Sequence, residues 1–248
     1  MLAKAEYPAE HLDAARSQTS RAYQLIRDDI VAGRRAPGEK LKIQVLAKGL
    51  SVSPGAVREA LSRLIPEKLV VSQDQRGFHV APLSIADLKD LTDLRCEIEA
   101  IALRRSLERG DVEWEAGLVA AIHRLNATPI RDPGEKAPSA PWVIAHSHFH
   151  AALVAAAGNP RLLSLHNQLY QQSERYRGLA AHVESERDVA SEHREIAELA
   201  LARAIDPLIK AITAHFLYTT RLTIEANYKI SQHVPVDEAA KPAAHSKG

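Results

Sequence analysis

The chain has little cysteine: Cys96 is the only one among 248 residues, which excludes an internal disulfide. A single thiol fits a reducing cytoplasm, and we expect Cys96 to be a small core residue. Long apolar runs are also absent, since none approaches the roughly 18 residues that indicate a membrane-spanning helix. The first 30 residues show no signal-peptide pattern. The sequence therefore predicts a cytoplasmic protein with no membrane partner.

Aromatic residues are scarce as well, at 4% of the chain, whereas apolar residues reach 46% and charged residues 25%. This balance is typical of a globular, helix-rich protein. A length of 248 residues allows one large domain or two ordinary ones.

Charge is distributed unevenly, although the formal net charge is only +1. Between residues 20 and 83, eleven Lys and Arg stand against six Asp and Glu, which leaves +5. The first 19 residues carry −1, so the remainder carries −3. A basic module followed by a mildly acidic one predicts a polyanionic partner for the first module only.

Turn-forming residues and helix caps divide the chain in two. Pro82 closes a stretch of short helices and β-rich runs, and after Ser84 nearly all of the sequence follows a helical pattern. The predicted division is a flexible arm at 1–18, a first module at 19–83, an all-helical domain at 84–232 and a disordered tail at 233–248.

The first module has the element order of a winged helix-turn-helix. We expect a helix from an N-cap at Ser20 to about residue 32, a second near 45–50, and a third that begins at Ser53-Pro54. Two β-rich runs around the polar turn 74–77 predict a hairpin. Three helices followed by a hairpin are the order of a winged helix.

The third helix has the layout of a DNA-reading helix, with an apolar stripe behind and polar residues in front. Arg58 is the best candidate for bidentate pairing with guanine, while Ser53 and the helix N-terminus could hold a phosphate. The candidate DNA-binding residues, which include the hairpin tip, are Ser53, Gly55, Arg58, Ser62, Gln75, Arg76 and Gly77. By pattern alone, an ordinary solvated helix remains an equal alternative.

A resemblance favours the DNA-reading alternative. The stretch LKIQVLAKGLSVSPGAVREALSRL followed by EKLVVSQDQRGFHVAPLS closely resembles the winged helix of GntR-family transcriptional regulators. The resemblance implies binding to double-stranded operator DNA. The family commonly has Arg-Thr-Pro before VREAL, where this chain has Pro54-Gly55-Ala56. An arginine expected to contact DNA is therefore absent at position 54, so operator sequences of other members do not transfer.

The rest of the chain predicts an all-α antiparallel helical bundle, so the fold class is mainly α with a small β-hairpin wing. The expected helices are 84–109, 112–127, 141–157, 160–182, 184–204 and 207–230, the last with Asp206 as N-cap and Pro207 at its first position.

Four histidines in this domain have a spacing that permits a metal site. His146 and His150 share a helix face because they are four residues apart, and His193 and His215 lie on two later helices. A bundle could bring three such helices together, and neutral imidazoles suit a divalent transition metal such as zinc or nickel. By spacing alone, four ordinary surface or hydrogen-bonded histidines remain an alternative.

The second resemblance covers residues 84–230, which look like the FCD effector domain of the FadR-type branch. It is carried by HSHFHAALVAAAGNPRL, by EHREIAELALARAIDPLIKAITAHF and by the run from Arg95 to Glu99. Members with a metal site place ligands at the positions of the four histidines, with Asp where this chain has His146. A neutral imidazole in place of a carboxylate leaves the site more positive, so it should favour an anionic ligand. It could equally favour softer metals or weaken metal binding.

A small carboxylate effector is expected in this domain. Arg95 is the candidate for bidentate pairing with it and Glu99 for orienting Arg95, although an ordinary helix salt bridge between the two is equally consistent. Arg175 and Tyr176, with Arg177 beside them, are candidates for a distal carboxylate. Trp114 and Trp142 are expected to be packing residues. The stretches SPGAVREALSRL and ERGDVEWEA resemble repressors of glutarate and dicarboxylate operons.

These observations predict a homodimeric repressor that leaves a palindromic operator when a carboxylate binds a metal-containing pocket. The competing functions are a metal-dependent enzyme and a helical scaffold without a ligand. Against an enzyme, the string Glu192-His193-Arg194-Glu195 lacks the second histidine of the H-E-X-X-H zinc-hydrolase motif.

Overall fold

The computed structural model describes residues 9–73, 76–135, 137–180 and 187–233. Within these residues the helices and strands follow in the order α1 (Ala9–Val31), α2 (Ile43–Leu50), α3 (Pro54–Leu64), β1 (Val70–Gln73), β2 (Gly77–Val80), α4 (Ile85–Arg109), α5 (Val112–Ala127), α6 (Ala140–Val154), α7 (Pro160–Ala180), α8 (Val189–Leu201) and α9 (Ile205–His233). A 3₁₀ turn, Ala155–Ala157, extends α6. No described helix is long and apolar enough to cross a membrane.

The winged helix is built on a core between α1, α3 and the hairpin. Ile26 and Ile30 of α1 pack with Leu61 and Leu64 of α3, and all four are fully buried. The strands are antiparallel, with Val70 opposite Val80 and Gln73 opposite Gly77. The predicted winged helix-turn-helix is confirmed.

Helix α1 begins earlier than predicted. It starts at Ala9, so Ser20 is not an N-cap and the proposed arm at 1–18 is wrong for residues 9–18. The preceding turn packs on α3: Thr19 is buried and donates to Glu59, and Gln18 accepts from the Ser53 amide. These tertiary contacts outweigh the preference of serine for a cap. Residues 1–8 lie outside the described part.

The C-terminal domain is all helical, as predicted, around a core that includes Trp114, Trp142, Phe149 and Leu208. Both tryptophans pack in it, in agreement with the sequence. Cys96 is partly buried against the same core, where burial raises the pKa of its thiol.

Two helix starts in this domain differ from prediction. Helix α8 begins at Val189 rather than 184, capped by Asp188, whose side chain accepts from the Ser191 amide. Helix α9 begins at Ile205, so Asp206 lies in its first turn and is not an N-cap. Arg203, between α8 and α9, has a left-handed backbone with φ of 55°, which separates the two helices. Helix α9 can therefore begin two residues before the predicted start at 207. Helix α9 continues through His233, and the rest of the predicted tail is outside the described residues.

Candidate metal centre and nucleic-acid interface

The fold brings the four histidines together. His146 and His150 lie on α6, His193 on α8 and His215 on α9; all are buried, and one ligand atom from each lies within 4.8 Å of the others. The spacing of four residues on α6 places the two Nε2 atoms 3.1 Å apart. The sequence therefore selected the right cluster, although its occupancy by a metal stays a prediction.

The chemistry of these side chains fits a transition metal. Burial lowers the pKa of His193 to about 2 and that of His215 to about 4, and it holds the pKa values of His146 and His150 well below the usual range. All four imidazoles are thus neutral, the form that ligates metal. His150 Nδ1 and His193 Nε2 are buried without a hydrogen-bond partner, which is costly unless something binds there.

Outer hydrogen bonds orient two of the rings. Glu192 Oε2 lies 2.8 Å from His215 Nδ1, which leaves Nε2 of His215 free for a ligand. Burial opposes ionisation of Glu192, but bonds from Arg187 and His215 outweigh it and lower the pKa of Glu192 to about 2. On the other side, the Tyr170 hydroxyl lies 2.9 Å from His146 Nδ1.

A cavity of about 30 Å³ adjoins the histidines, which is room for about two water molecules. Its lining residues are Leu88, Thr92, Arg95, His146, His150, Ser173, Glu174, Tyr176, Arg177, His215, Phe216, Thr219, Thr220 and Thr223. Two guanidinium groups and several hydroxyl groups thus face the same space as three of the candidate ligands. Such a lining favours a small, polar anion.

Arg95 is the most exceptional residue of this lining. Its guanidinium lies 3.7 Å from the centre of the Phe216 ring and donates to Ser173 Oγ at 2.8 Å, while its Nε has no partner. Among the described residues, no carboxylate forms an ion pair with it, although the negative charges of Glu99 and Glu174 partly offset the effect of burial on its pKa. Burial lowers its pKa, although arginine remains charged. A buried guanidinium without a direct ion-pair partner is costly, so Arg95 is well placed to receive an anion.

Two of the other predicted effector residues lie elsewhere. Glu99 forms no ion pair with Arg95: its fully buried carboxylate pairs through Oε2 with His166 Nε2 at 2.7 Å, and its charge acts on Arg95 only at longer range. The predicted salt bridge between the two is therefore not observed. Arg175 points away from the cavity and donates to the carbonyls of Lys68 and Ala81 in the winged helix.

Tyr176 does line the cavity, with its hydroxyl donating to Asp87 at 2.6 Å. Arg177, which stands beside the predicted Arg175 and Tyr176, also lines the cavity, whereas Glu174 was not predicted. Their three-residue spacing, which places both on one helix face, was a signal for Glu174 in the sequence.

Three of the predicted DNA-binding residues, Gly55, Arg58 and Gly77, line one groove of the winged helix. Gly55, Arg58 and Ser62 are exposed along α3, and Ser53 caps that helix by accepting from the Ala56 amide. Arg76 is exposed at the wing. Gly77 has φ of 85°, which suits glycine in this turn, and Gln75 lies outside the described residues.

A groove between α3 and the wing adds two cations that the sequence reading had not singled out. Lys40, Lys42, Arg58 and Gly77 all line it. The groove thus has the positive charge that binding to phosphates requires.

Comparisons with known proteins agree with this architecture. Residues 18–80 match the family described as bacterial regulatory proteins, gntR family, and residues 90–218 match the FCD domain. The chain belongs to the GntR family. It is 42% identical over 207 residues to the HTH-type transcriptional regulator BphR of Paraburkholderia xenovorans (strain LB400), covering 81% of this chain and 82% of BphR.

The HTH-type transcriptional repressor GlaR of Escherichia coli (strain K12) is 32% identical over 200 residues, covering 79% of this chain and 90% of GlaR. The solved structure of E. coli McbR/YncC has a TM-score of 0.68 at 17% identity, covering 86% and 98% of the two chains. A GntR regulator from Rhodococcus sp. RHA1 has a TM-score of 0.68 at 22% identity, covering 85% and 99%. The two structures show a common fold.

As a GntR-family member, the chain is a DNA-binding transcriptional regulator. Its relatives are regulators and not enzymes, so the expectation of a non-enzyme is confirmed and the metalloenzyme alternative is wrong.

Proposed function

We propose that the chain is a homodimeric repressor that leaves its operator when a small carboxylate or dicarboxylate binds a metal-containing cavity. The observation that carries this proposal is the shared cavity: three of four clustered, neutral histidines face the same space as the guanidinium of Arg95, which forms no ion pair with a described residue. GlaR is named a repressor, which supports the direction of regulation.

The metal would be held by His146, His150, His193 and His215. A bound Zn²⁺ or Ni²⁺ would supply a Lewis acid to an effector carboxylate. Four neutral ligands leave the metal's charge uncompensated, and Arg95 adds another positive charge beside it. Both features favour an anion over a neutral ligand. The hydroxyl groups of the lining, such as Thr92 and Thr220, could hold the rest of a polar effector.

On the DNA side, α3 would enter the major groove with Arg58 toward the bases. The wing and the lysines of the adjoining groove would then contact the backbone. In a dimer, two such helices would meet successive major grooves, about 34–36 Å apart. Effector binding would reduce operator affinity about 5- to 150-fold, which is the usual size of allosteric coupling.

The decisive experiment is a thermal-shift screen of C3–C6 mono- and dicarboxylates, glutarate included, on metal-loaded and chelator-treated protein. We expect the purified chain to contain a transition metal and to be stabilised by at least one carboxylate only when loaded. The idea fails if the protein contains no transition metal and carboxylates bind equally well after chelation.

A matched pair of variants localises the effect. His150→Ala removes a buried candidate ligand, whereas His148→Ala alters an exposed histidine on the same helix. We expect only the first to lose metal and the response to carboxylate, and both to retain operator binding.

A further inference from the structure

Helix α7 contacts both modules through neighbouring residues. Glu174 and Arg177 line the cavity, and Arg177 Nη1 lies 3.1 Å from His146 Nδ1. Arg175 donates to the winged helix, and the Tyr176 hydroxyl bonds to Asp87 near the start of α4. One turn of α7 therefore joins the cavity to the DNA-binding module.

Arg175 holds the base of the wing. Its buried guanidinium donates to the carbonyl of Ala81, just after β2, and to that of Lys68, 3.3 Å away and just before β1. Ala81 and Leu69 are themselves joined by a backbone hydrogen bond. Both ends of the hairpin are thus tied to α7, so a shift of α7 would move or release the wing.

Glu174 occupies the position of an anion inside the cavity. Its buried carboxylate forms an ion pair with Arg177, three residues later on the same helix. An effector carboxylate that approached Arg177 and the histidines would compete with Glu174 for that guanidinium, since both anions seek the same donors.

We propose that α7 is the relay of this regulator: an anion in the cavity displaces Glu174 from Arg177, and the resulting shift of α7 weakens the hold of Arg175 on the wing. The proposal rests on the proposed function only in taking the cavity ligand to be an anion. It adds an internal competitor, Glu174, and a named output contact, Arg175.

Hydrogen exchange on the full-length protein, measured with and without added zinc, tests the relay without knowledge of the effector. Glu174→Gln removes the charge of the competitor and keeps its shape, so it should imitate occupancy and speed exchange of the amides in 66–72 and 78–83. Arg175→Met should speed the same amides by about tenfold or more. Arg161→Met, which alters an exposed arginine of α7, is the control and should change nothing there.

The effects of Glu174→Gln and Arg175→Met on amide exchange should not be additive. In the Arg175→Met background, Glu174→Gln should have no further effect on exchange, because its output contact is already gone. The same cycle on affinity for a DNA duplex selected from random sequence should show a loss within about 5- to 150-fold for Glu174→Gln alone. If Arg175→Met destabilises the whole chain, Arg175→Lys, which keeps the charge but loses the two-carbonyl geometry, replaces it.

Unchanged exchange in Glu174→Gln, or full additivity with Arg175→Met, would overturn the relay. If carboxylates stabilise the wild-type protein in that case, the proposed function stands alone. The opposite result, with coupled variants and no carboxylate response, would retain the relay and reject the carboxylate.

Discussion

At the scale of single residues, Arg95 tests whether the proposed effector site is costly to stability. A buried guanidinium without a direct ion-pair partner lowers the free energy of unfolding, and its contact with the Phe216 ring and its bond to Ser173 recover only part of that loss. Replacing it by an apolar side chain of similar length removes that cost. The same change removes the group best placed to pair with a carboxylate.

We therefore expect Arg95→Met to keep or raise the melting temperature of the ligand-free protein while weakening carboxylate affinity about tenfold to 100-fold. Arg104→Met is the matched control, because Arg104 lies on the same helix and forms an exposed ion pair with Asp206. Calorimetric titration and thermal unfolding measure the two effects. A large loss of stability with unchanged affinity would assign Arg95 a structural role instead.

The buried histidines make the metal-free protein sensitive to acid. Burial holds the pKa of His215 at about 4 and that of His193 at about 2, below the ~6.5 of an unfolded chain. Below about pH 6.5 the unfolded chain binds protons that the folded chain does not bind. The contribution of these histidines to the free energy of unfolding is therefore fully present above this pH and is lost progressively below it. At pH 5.5 the loss is about 1.4 kcal/mol for each such histidine.

Urea unfolding in chelator at pH 7.5 and 5.5 measures this loss. His215→Asn should reduce the loss by about 1.4 kcal/mol, since asparagine does not titrate. His148→Asn should leave it unchanged because His148 is exposed. Equal losses in both variants would show that the buried site does not control acid stability.

Among the elements, α3 has one face that stabilises the fold and an opposite face proposed to read DNA. Its apolar face is buried, whereas Arg58 is exposed in the groove that Lys40 and Lys42 also line. Arg58→Ala should therefore leave the melting temperature within about 1 °C and cost about 1–3 kcal/mol of specific operator binding. Arg63→Ala is the control: Arg63 lies on the same helix but stacks over Tyr23 of α1, so its loss should not weaken specific operator binding. Retained preference for the selected duplex in a competition gel shift would exclude Arg58 from base recognition.

The contact between α7 and α1 depends on a glycine. A Cβ on Gly178 would lie 2.7 Å from the carbonyl oxygen of Val31, so an alanine there must push the two helices apart. We expect Gly178→Ala to lower the melting temperature and alter operator affinity. Gly117→Ala on α5, where a Cβ meets nothing within 4 Å, should instead stabilise by up to about 1 kcal/mol. Stabilisation by both changes would mean that the α1–α7 contact is not tight in solution.

The helix ends and the site residues show what the sequence could and could not predict. Most helix ends follow local signals, such as the cap at Ser84 and the start of α5 after Asp111, and local reasoning found them. The predicted N-cap at Ser20 was wrong because contacts with α3, which is remote in sequence, keep the chain helical at this point. The four histidines were accessible through spacing and resemblance. The contact of Arg175 with the winged helix could not be predicted, because only the path of α7 between the modules decides which surface this side chain meets.

At the scale of the whole molecule, the charge asymmetry matches the division of structure. The net charge of +5 lies between residues 20 and 83, in the module that carries the groove of Lys40, Lys42 and Arg58, whereas the helical domain is slightly acidic. Operator affinity should consequently fall steeply with salt, at about 0.9 log units per phosphate contact for each log unit of salt. One module offers few such contacts, so we expect a tight complex to require two.

This requirement makes the spacing of half-sites the best test of the dimer. If two α3 helices bind one palindrome, inserting five base pairs between the half-sites turns one of them by about half a turn of DNA, away from the second helix. We expect binding to such a site to fall to that of a single half-site, as read from gel-shift titration of the full chain. A palindrome with the central base pairs substituted at constant spacing is the control and should retain most of the affinity. Equal affinity for the half-site, the palindrome and the spaced site would show that each chain binds DNA alone.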